Sequence, residues 1–288
     1  MKDRFNKMIL QLMLLLATLF VFACVPPEYT PTENTTIDVC LGDPECTQKL
    51  TVAHRGTGSL SIYGPENTLA AYDTAWKMGA DSVEIDVRST SDGELVIMHD
   101  ETVNRTTYGS GKVSDLTLAQ VKALKVRSVS KEALAQQVPT LREAMAFMKG
   151  KTMIYVDIKT ADIHQLVGII QEEDMIDSAY LLIGSIAEGY AARSQNAFVS
   201  LLAAVKTKEQ AQEFIDALNP IVMFEMLYED ATPEVVDFIH SNGIKIHMDT
   251  IGEFDILGIY GFRTVLNRGV DSMQSDRIDI LVPYLRGL

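Results

Sequence analysis

The chain has 288 residues, of which 47% are hydrophobic and 22% charged, and its formal net charge at pH 7 is -14. This composition is ordinary for a soluble globular enzyme, and the length allows one large domain or two small ones. A surface this acidic repels phosphate backbones, so nucleic acid is excluded as an expected partner, and nonspecific adhesion to anionic lipid is disfavoured. An anionic substrate would need positive charge supplied by the site itself.

The first 23 residues have the pattern of a targeting segment. Lys2, Arg4 and Lys7 precede an apolar run over about 8–23, which is typical of a secretory signal. The run ends in the residues 21–24, Val-Phe-Ala-Cys, which resemble the lipobox of bacterial lipoproteins except for the bulky Phe22. The resemblance implies that Cys24 is lipidated. We therefore expect a signal peptide over 1–23 and an exported lipoprotein, anchored on the periplasmic or cell-surface side of a membrane. A plain signal peptide or an uncleaved anchor is the alternative.

Residues 24–48 are predicted to form a tether between the anchor and the folded domain. The stretch 25–36 is rich in Pro, Thr, Glu and Asn and has no apolar period. Cys40 and Cys46 follow, and in an oxidising compartment they can pair as a disulfide. Two free thiols in a surface loop are the alternative. A zinc site is disfavoured because no histidine or further cysteine stands at ligand spacing nearby.

The remaining residues, 49–288, are predicted to form one barrel domain. Nine apolar runs are strand candidates: 50–54, 82–87, 95–99, 153–158, 180–183, 198–203, 221–224, 244–247 and 270–274. Several are apolar almost throughout, as parallel strands buried on both faces are. Helical patterns lie between them, and they begin at capping signals such as those headed by Asn67 or Thr68 and by Thr140, Thr207 and Thr232. The alternation favours an α/β fold of the (β/α)8 TIM-barrel type, with a doubly wound open sheet as the alternative.

The barrel is expected to be irregular between its second and third strands. Nine candidates compete for eight places, so one lies outside the barrel or is not a strand. The link 88–93 is too short for a helix, and Asp92 and Gly93 are typical of a hairpin turn.

Two pairs of charged residues alternate with aliphatic residues along strand candidates. Residues i and i+2 of a strand face the same side, so Glu84 and Asp86 point together, and so do Asp157 and Lys159. Two neighbouring carboxylates repel each other, and a hard cation with oxygen ligands relieves that repulsion. Glu84 and Asp86 are therefore candidate metal ligands, with a solvated face or an ion pair as the alternative. Asp157 can complete the metal shell and Lys159 can hold an anionic oxygen, although, from these residues alone, a local ion pair is the better explanation.

Two histidines stand at predicted strand ends. His54 ends the first strand candidate and is followed by Arg55, while His99 ends the third. Because histidine titrates near neutral pH, one of them can accept a proton while the other donates one. A structural role is the alternative. His247 also ends a strand candidate and is a minor candidate.

An ordered set of motifs resembles the glycerophosphodiester phosphodiesterase family. The motifs are Ala53-His-Arg-Gly56, Pro65-Glu-Asn-Thr68, the segment 79–87 around Glu84 and Asp86, His99-Asp100, Arg105-Thr-Thr107, Pro139-Thr-Leu141 and, near the end, Gly269-Val-Asp271 and Ser275-Asp276. The resemblance covers about 52–285. It implies a phosphodiesterase barrel with a short insertion after the third strand and hence a small lid.

The resemblance also implies roles for residues of this chain. His54 and His99 match acid–base histidines, and Glu84 and Asp86 match ligands of one divalent metal, Mg²⁺ or Ca²⁺. Asp157 stands where many members carry a longer glutamate as the third ligand. Arg55 and Lys159 match phosphate-binding positions. A Trp-Thr-Val-Asn-like stretch has its nearest equivalent at 248–251 and lacks the tryptophan, so the lining of the pocket is expected to differ.

The expected activity is metal-dependent hydrolysis of small-molecule glycerophosphodiesters to glycerol 3-phosphate and an alcohol. Two alternatives are kept. One is a lysophospholipase D-type enzyme, which an apolar mouth near Tyr63, Tyr108 and Phe224 would favour. The other is a lipoprotein that binds a phosphorylated ligand without turnover.

Overall fold

The structure is a computed structural model that describes residue 40 and residues 46–58, 63–128 and 136–287. The predicted signal peptide, Cys24 and most of the predicted tether lie outside the described residues. Cys40 and Cys46 are joined by a disulfide with an S–S distance of 2.02 Å. Cys40 is buried against a cluster that includes Leu50, Val52 and Met153, at the ends of the strands where the chain enters the barrel.

Nine strands form one sheet, whose order is β1-β9-β8-β7-β6-β5-β4-β2-β3 with an additional pairing of β1 with β2. Eight of these strands are parallel, and the pairing of β1 with β2 closes them into a barrel. The strands are β1 (Leu50–Ala53), β2 (Ser82–Ser89), β3 (Leu95–Ile97), β4 (Met153–Thr160), β5 (Ala179–Ile183), β6 (Ser200–Ala204), β7 (Met223–Glu225), β8 (Lys245–Asp249) and β9 (Ser272–Ser275). The predicted (β/α)8 barrel is confirmed.

The ninth strand explains the predicted irregularity. β3 runs antiparallel to β2, with Ser89 opposite Leu95 and Val87 opposite Ile97, and it lies outside the barrel. The turn at Asp92 and Gly93 reverses the chain, with the Gly93 N–H donating to Thr90 O at 3.1 Å. β3 therefore descends along β2, and the Met98 N–H donates to Asp86 O at 2.8 Å.

This reversal changes the reason why His99 reaches the barrel mouth. The sequence places His99 at the end of the third strand candidate, but β3 is not one of the parallel strands whose carboxyl ends form the rim of the barrel. His99 instead arrives at the level of Asp86 because the antiparallel strand carries the chain back down to it. The side chain of Arg88 fixes that position, since its Nε and Nη2 donate to His99 O at 3.0 and 2.7 Å.

Ten α-helices are present among the described residues, most of them around the outside of the barrel. They are α1 (Leu69–Lys77), α2 (Leu118–Lys122), α3 (Leu141–Met148), α4 (Ile163–Glu172), α5 (Ile186–Gln195), α6 (Lys208–Leu218), α7 (Pro233–Ser241), α8 (Glu253–Leu257), α9 (Ile259–Leu266) and α10 (Ile278–Arg286). None of the helices in the described ranges is both long and apolar enough to span a membrane.

The helix starts follow the predicted caps with two exceptions. Thr68 caps α1 and Thr140 heads a complete capping box. Thr207 caps α6, but the side chain of Gln210 accepts from the N–H of Lys206 and leaves the predicted box incomplete. Thr232 makes no side-chain cap bond, so Pro233 at the first helical position marks the start of α7.

Aliphatic side chains on the outer face of the strands pack against the helices and form the main core. On β2 these are Val83, Ile85 and Val87, all fully buried. The alternate residues of the same strand, Glu84 and Asp86, face the barrel interior, as the two-residue period of a strand requires. The packing of the core therefore fixes which side chains reach the mouth.

Candidate active site

A tight turn after β1 begins the site. Arg55 and Gly56 follow each other in the left-handed region, with φ of 49° and 89°. A Cβ on Gly56 would lie 2.8 Å from the Cβ of Ala71 in α1, so only glycine fits there. A left-handed conformation at a bulky residue such as Arg55 is uncommon and marks functional turns. The turn directs the backbone N–H of Arg55 to Glu84 Oε2 at 2.8 Å.

Three carboxylates converge at the mouth beside this turn. Glu84 and Asp86 come from β2, and Asp157 comes from the paired strand β4, where it stands directly opposite Asp86. One carboxylate oxygen from each of the three residues lies within 4.8 Å of the others. Glu84 and Asp86 are 2% and 1% exposed, so these charges are withdrawn from water. A set of three carboxylate oxygens is the donor set that hard divalent cations such as Mg²⁺ and Ca²⁺ prefer, so the residues present fit such an ion.

Burial and repulsion act differently on the two carboxyls of β2. Burial, followed by the charges of Asp86 and Asp157, holds the pKa of Glu84 well above its usual range. Burial also acts to raise the pKa of Asp86, but the Lys159 ammonium and the Asn67 amide outweigh it and lower that pKa. The pKa values of the two carboxyls are therefore shifted in opposite directions, and a bound cation would favour the ionised form of both.

Cations and an amide surround the carboxylates. Lys159 Nζ lies 2.6 Å from Asp157 Oδ2 and 3.1 Å from Asp86 Oδ1, so it bridges the two strands. Asn67 Nδ2 donates to Asp86 Oδ2 at 2.7 Å, and its own Oδ1 accepts from the buried hydroxyl of Tyr72 at 3.0 Å. Arg55 Nε is 3.5 Å from Asp86 Oδ2. Asp86 therefore accepts a hydrogen bond from Asn67 and lies within ion-pair distance of both Lys159 and Arg55.

Each of the two predicted histidines has a carboxylate at its Nδ1. His54 Nδ1 lies 2.5 Å from Asp276 Oδ1, across 222 residues of sequence. His99 Nδ1 lies 2.9 Å from Oδ1 of the adjacent Asp100. A carboxylate at Nδ1 fixes the ring orientation and leaves Nε2 for the opposite side. His54 is buried, whereas the side chain of His99 is 35% exposed.

The acidic residue Glu66 links Arg55 to Arg105, which in turn contacts the Asp100 carboxylate beside His99. Glu66 is buried and accepts from Arg55 Nη1 at 2.9 Å and from Arg105 Nη1 and Nη2 at 2.5 and 2.8 Å. Arg105 also donates to both oxygens of Asp100, at 2.7 and 2.8 Å. Hydrogen bonds from Arg105 hold the pKa of Asp100 well below its usual range. Two guanidinium groups therefore lie beside the carboxylate cluster.

The scan against family models matches residues 54–179 to the glycerophosphoryl diester phosphodiesterase family. A glycerophosphodiester phosphodiesterase of Bacillus subtilis is 31% identical over 226 residues, which cover 70% of this chain and 76% of the relative. The protein YhdW of the same organism is 35% identical over 243 residues, covering 80% of this chain and 96% of the relative. The chain belongs to the glycerophosphodiester phosphodiesterase family. It is an enzyme, a phosphoric diester hydrolase.

Solved structures of the family have the same fold. A Parabacteroides distasonis glycerophosphoryl diester phosphodiesterase matches with a TM-score of 0.76 and 25% identity, covering 90% of this chain and 93% of the other. An Oleispira antarctica phosphodiesterase, solved in complex with the product sn-glycerol-3-phosphate, matches with a TM-score of 0.70 and 23% identity over 83% of this chain and 97% of the other.

Within this phosphodiesterase, the structure brings together the residues that the sequence nominates. His54, Arg55, Glu84, Asp86, His99, Asp157 and Lys159 all lie at the barrel mouth. Sequence reasoning assigned no catalytic or binding role to Glu66, Asn67, Asp100, Arg105 or Asp276, although each of them stands inside a motif that the resemblance identified. Tyr72 was missed entirely, because a tyrosine in a helix gives no signal of a buried hydroxyl under an active-site amide.

The three aromatic residues that were predicted to line an apolar mouth do not form one exposed apolar surface. Phe224 is fully buried and packs against Phe214, with ring centroids 6.4 Å apart, so it belongs to the core. Tyr108 is 60% exposed and is covered on one face by Arg127. Tyr63 is half-buried against the core.

Proposed function

We propose that this phosphodiesterase hydrolyses glycerophosphodiesters to sn-glycerol 3-phosphate and an alcohol in a metal-dependent reaction, with His54 and His99 as the proton-transfer groups. The observation that carries the proposal is the convergence of three carboxylates beside two histidines, each oriented by its own carboxylate. The named relatives and the Oleispira complex with the product support the substrate class. Glu84, Asp86 and Asp157 would hold the metal, and Mg²⁺ or Ca²⁺ suits their oxygens.

The charges at the mouth favour a cation before an anionic substrate binds. Four carboxylates face three permanent cations there: Glu66, Glu84, Asp86 and Asp157 against Arg55, Arg105 and Lys159. This set has a net charge of -1 when all its groups are ionised, and the raised pKa of Glu84 brings it towards zero, so it gives a phosphodiester no net attraction. A divalent cation makes the local charge positive, so phosphate binding and metal binding are expected to be coupled.

When bound, the metal supplies Lewis-acid stabilisation of the phosphoryl oxygens. Arg55 and Lys159 provide positive charge for a nonbridging oxygen, Arg55 through a planar two-point donor. One histidine removes a proton from the nucleophile while the other protonates the departing alcohol, and each step contributes about 10²–10⁴-fold. The nucleophile is water or the neighbouring glycerol hydroxyl, and a cyclic phosphate among the early products would identify the second route.

A substrate with an activated leaving group tests the two histidine roles. The wild type, His54→Ala and His99→Ala are compared on glycerophosphocholine and on glycerophospho-p-nitrophenol, whose leaving group needs no protonation. Both variants are expected to lose about 10²-fold or more on glycerophosphocholine. On the activated substrate only the variant that lacks the general acid should recover. Full activity of either variant on glycerophosphocholine, or equal losses on both substrates in both variants, would remove the acid–base assignment.

A lysophospholipid substrate is the second candidate, and one surface favours it. Large apolar side chains are exposed along α8 and at the start of α9, namely Ile256, Leu257, Ile259 and Tyr260, and Leu227 is exposed nearby on the rim of a cavity. Phe254, also in α8, lines that cavity. An acyl chain can be accommodated by such a surface. Turnover of lysophosphatidylcholine faster than glycerophosphocholine would establish the lipid activity.

The exported, lipid-anchored location is also proposed, and it rests on the N-terminal pattern alone. Lipidation of Cys24 would place the enzyme at a membrane surface, where deacylated phospholipid head groups are released. Cys24→Ala is expected to leave the specific activity unchanged and to move the protein from the membrane to the soluble or precursor fraction. Unchanged fractionation and unchanged mass at the N-terminus would contradict it.

A further inference from the structure

A second cluster of metal-type donors lies across the barrel from the carboxylates of β2. Glu225 is the last residue of β7 and stands directly opposite His247 of the parallel strand β8. Asp249 follows His247 by two positions, so both side chains lie on the same face of the strand. One donor atom from each of the three residues lies within 4.8 Å of the others. The register of two neighbouring strands therefore builds this cluster, which shares no residue with the carboxylates assigned to the catalytic metal.

The imidazole of His247 points to a ligand at this place. His247 is fully buried, and its Nε2 has no hydrogen-bond partner. The nearest acidic atom is Asp249 Oδ1, at 3.6 Å. Nδ1 is 2.9 Å from the hydroxyl of Ser272 on β9. A hydrogen bond at Nδ1 that leaves Nε2 free is the arrangement that orients metal-binding histidines. A buried imidazole nitrogen without a partner is costly, and a cation would satisfy it.

One pair of donor atoms has the spacing of two ligands on a transition-metal ion. Two ligand atoms at about 2.1 Å from a tetrahedral cation lie about 3.4 Å apart, close to the separation of His247 Nε2 and Asp249 Oδ1. Tyr155 supports the cluster from β4, with its ring edge-on to His247 at 5.4 Å and its hydroxyl 3.5 Å from Glu225 Oε1. Burial, together with the charge of Asp249, raises the pKa of Glu225 to about 7.

The cluster is open on one side. Glu225 and Asp249 both line a cavity of about 330 Å³ whose wall also includes Tyr228 and Phe254. The side chain of Asp249 is 43% exposed, so an ion can enter from the cavity. Three protein ligands beside an open cavity are the arrangement of metal sites that keep a coordination position for an exogenous ligand.

We propose that Glu225, His247 and Asp249 form a second divalent-cation site, separate from the Glu84, Asp86 and Asp157 cluster and selective for a transition metal such as Mn²⁺ or Zn²⁺. The imidazole donor sets the selectivity, because nitrogen ligands suit transition metals whereas an all-oxygen set suits Mg²⁺ and Ca²⁺. The two sites should therefore differ in the metal that each prefers.

Metal stoichiometry tests the proposal directly. The full-length protein is stripped with a chelator and titrated with Mn²⁺, with the bound ion measured by equilibrium dialysis and electron paramagnetic resonance. Wild type is expected to bind two Mn²⁺ per chain, and Asp249→Asn and Glu225→Gln one each. Glu229→Gln is the matched control, because Glu229 lines the same cavity outside the cluster, and it should bind two. Asp86→Asn should lose the other ion. With Mg²⁺, wild type and Asp249→Asn should bind equally.

Three results would overturn the second site. One is a single Mn²⁺ in the wild type that Asp86→Asn abolishes and Asp249→Asn does not affect. The second is a loss of binding in Glu229→Gln equal to that in Asp249→Asn. The third is equal binding of Mg²⁺ and Mn²⁺ at two positions. Far-UV circular dichroism shows whether each variant is folded, and Asp249→Asn, at a half-exposed carboxylate, is the change least disruptive to the core. If the second site is refuted, the proposal of a catalytic metal still stands, because it is tested separately by the metal dependence of the activity and by Asp86→Asn.

Discussion

The contact between His54 and Asp276 allows a quantitative prediction about catalysis. Asp276→Asn removes the negative charge that lies 2.5 Å from His54 Nδ1 while it keeps the size of the side chain. A hydrogen bond to a charged group contributes about 1.5–3 kcal/mol. If the imidazole must carry positive charge in the transition state, the loss corresponds to a decrease in kcat of about 10–150-fold, at 1.36 kcal/mol per tenfold.

Asp100→Asn is the matched control for the other histidine. Asp100 lies 2.9 Å from His99 Nδ1, and both of its oxygens also accept from Arg105. Because this carboxylate already shares its charge with a guanidinium and is partly exposed, the same substitution should decrease kcat less than about tenfold.

The assay is the release of sn-glycerol 3-phosphate from glycerophosphocholine, with kcat and KM measured separately. Asp276 acts through His54, so its variant should lose kcat with KM nearly unchanged, and the double variant His54→Ala with Asp276→Asn should be no slower than His54→Ala alone. Additive losses, or an Asp276→Asn enzyme within twofold of the wild type, would refute the reasoning that this carboxylate positions His54.

Two further predictions concern stability. Gly56→Ala and Gly93→Ala both place a side chain at positive φ, but only the Cβ added at Gly56 would also lie 2.8 Å from the Cβ of Ala71. Gly56→Ala should therefore destabilise the fold by about 1–3 kcal/mol more than Gly93→Ala, and lower the melting temperature further. Equal shifts in melting temperature would contradict the steric account. Burial acts to raise the pKa of Asp271, but hydrogen bonds from His240 and Lys49 lower it to about 2. A carboxyl whose pKa is lowered by folding adds stability above about pH 4, and this stability is lost as the pH falls through 2. Asp271→Asn should therefore lower the free energy of unfolding in urea by about 2 kcal/mol at pH 7 and by much less near pH 2. An equal decrease at both pH values would contradict this account.

The sequence predicts most of the carboxylate cluster because that cluster depends on short-range spacing. The two-residue period of β2 places Glu84 and Asp86 on one face, and the aliphatic residues between them decide which face is buried. The motif resemblance then joins distant strands in the right order. Asp157 reaches the cluster because it stands opposite Asp86 in the strand register, despite its shorter side chain.

Other parts of the site depend on information that spacing does not contain. The direction of β3 follows from a hairpin at Asp92, so the position of His99 along its strand does not by itself explain how it reaches the level of Asp86. The pairing of His54 with Asp276 joins residues that follow the first and the last strand of the sequence, β1 and β9, which are neighbours in the barrel. The second donor cluster needs Glu225 and His247 to be in register across two strands, and His247 alone was only a minor candidate in sequence.

The metal requirement of the reaction tests the central claim most directly. The full-length enzyme is stripped with a chelator, and the rate of sn-glycerol 3-phosphate release is measured before and after addition of Mg²⁺ or Ca²⁺, for the wild type and for Asp86→Asn. The account predicts that chelation reduces the wild-type rate to background, that one of these ions restores it, and that Asp86→Asn stays inactive at the same ion concentration. Activity unchanged by chelation, or a fully active Asp86→Asn enzyme, would contradict the account.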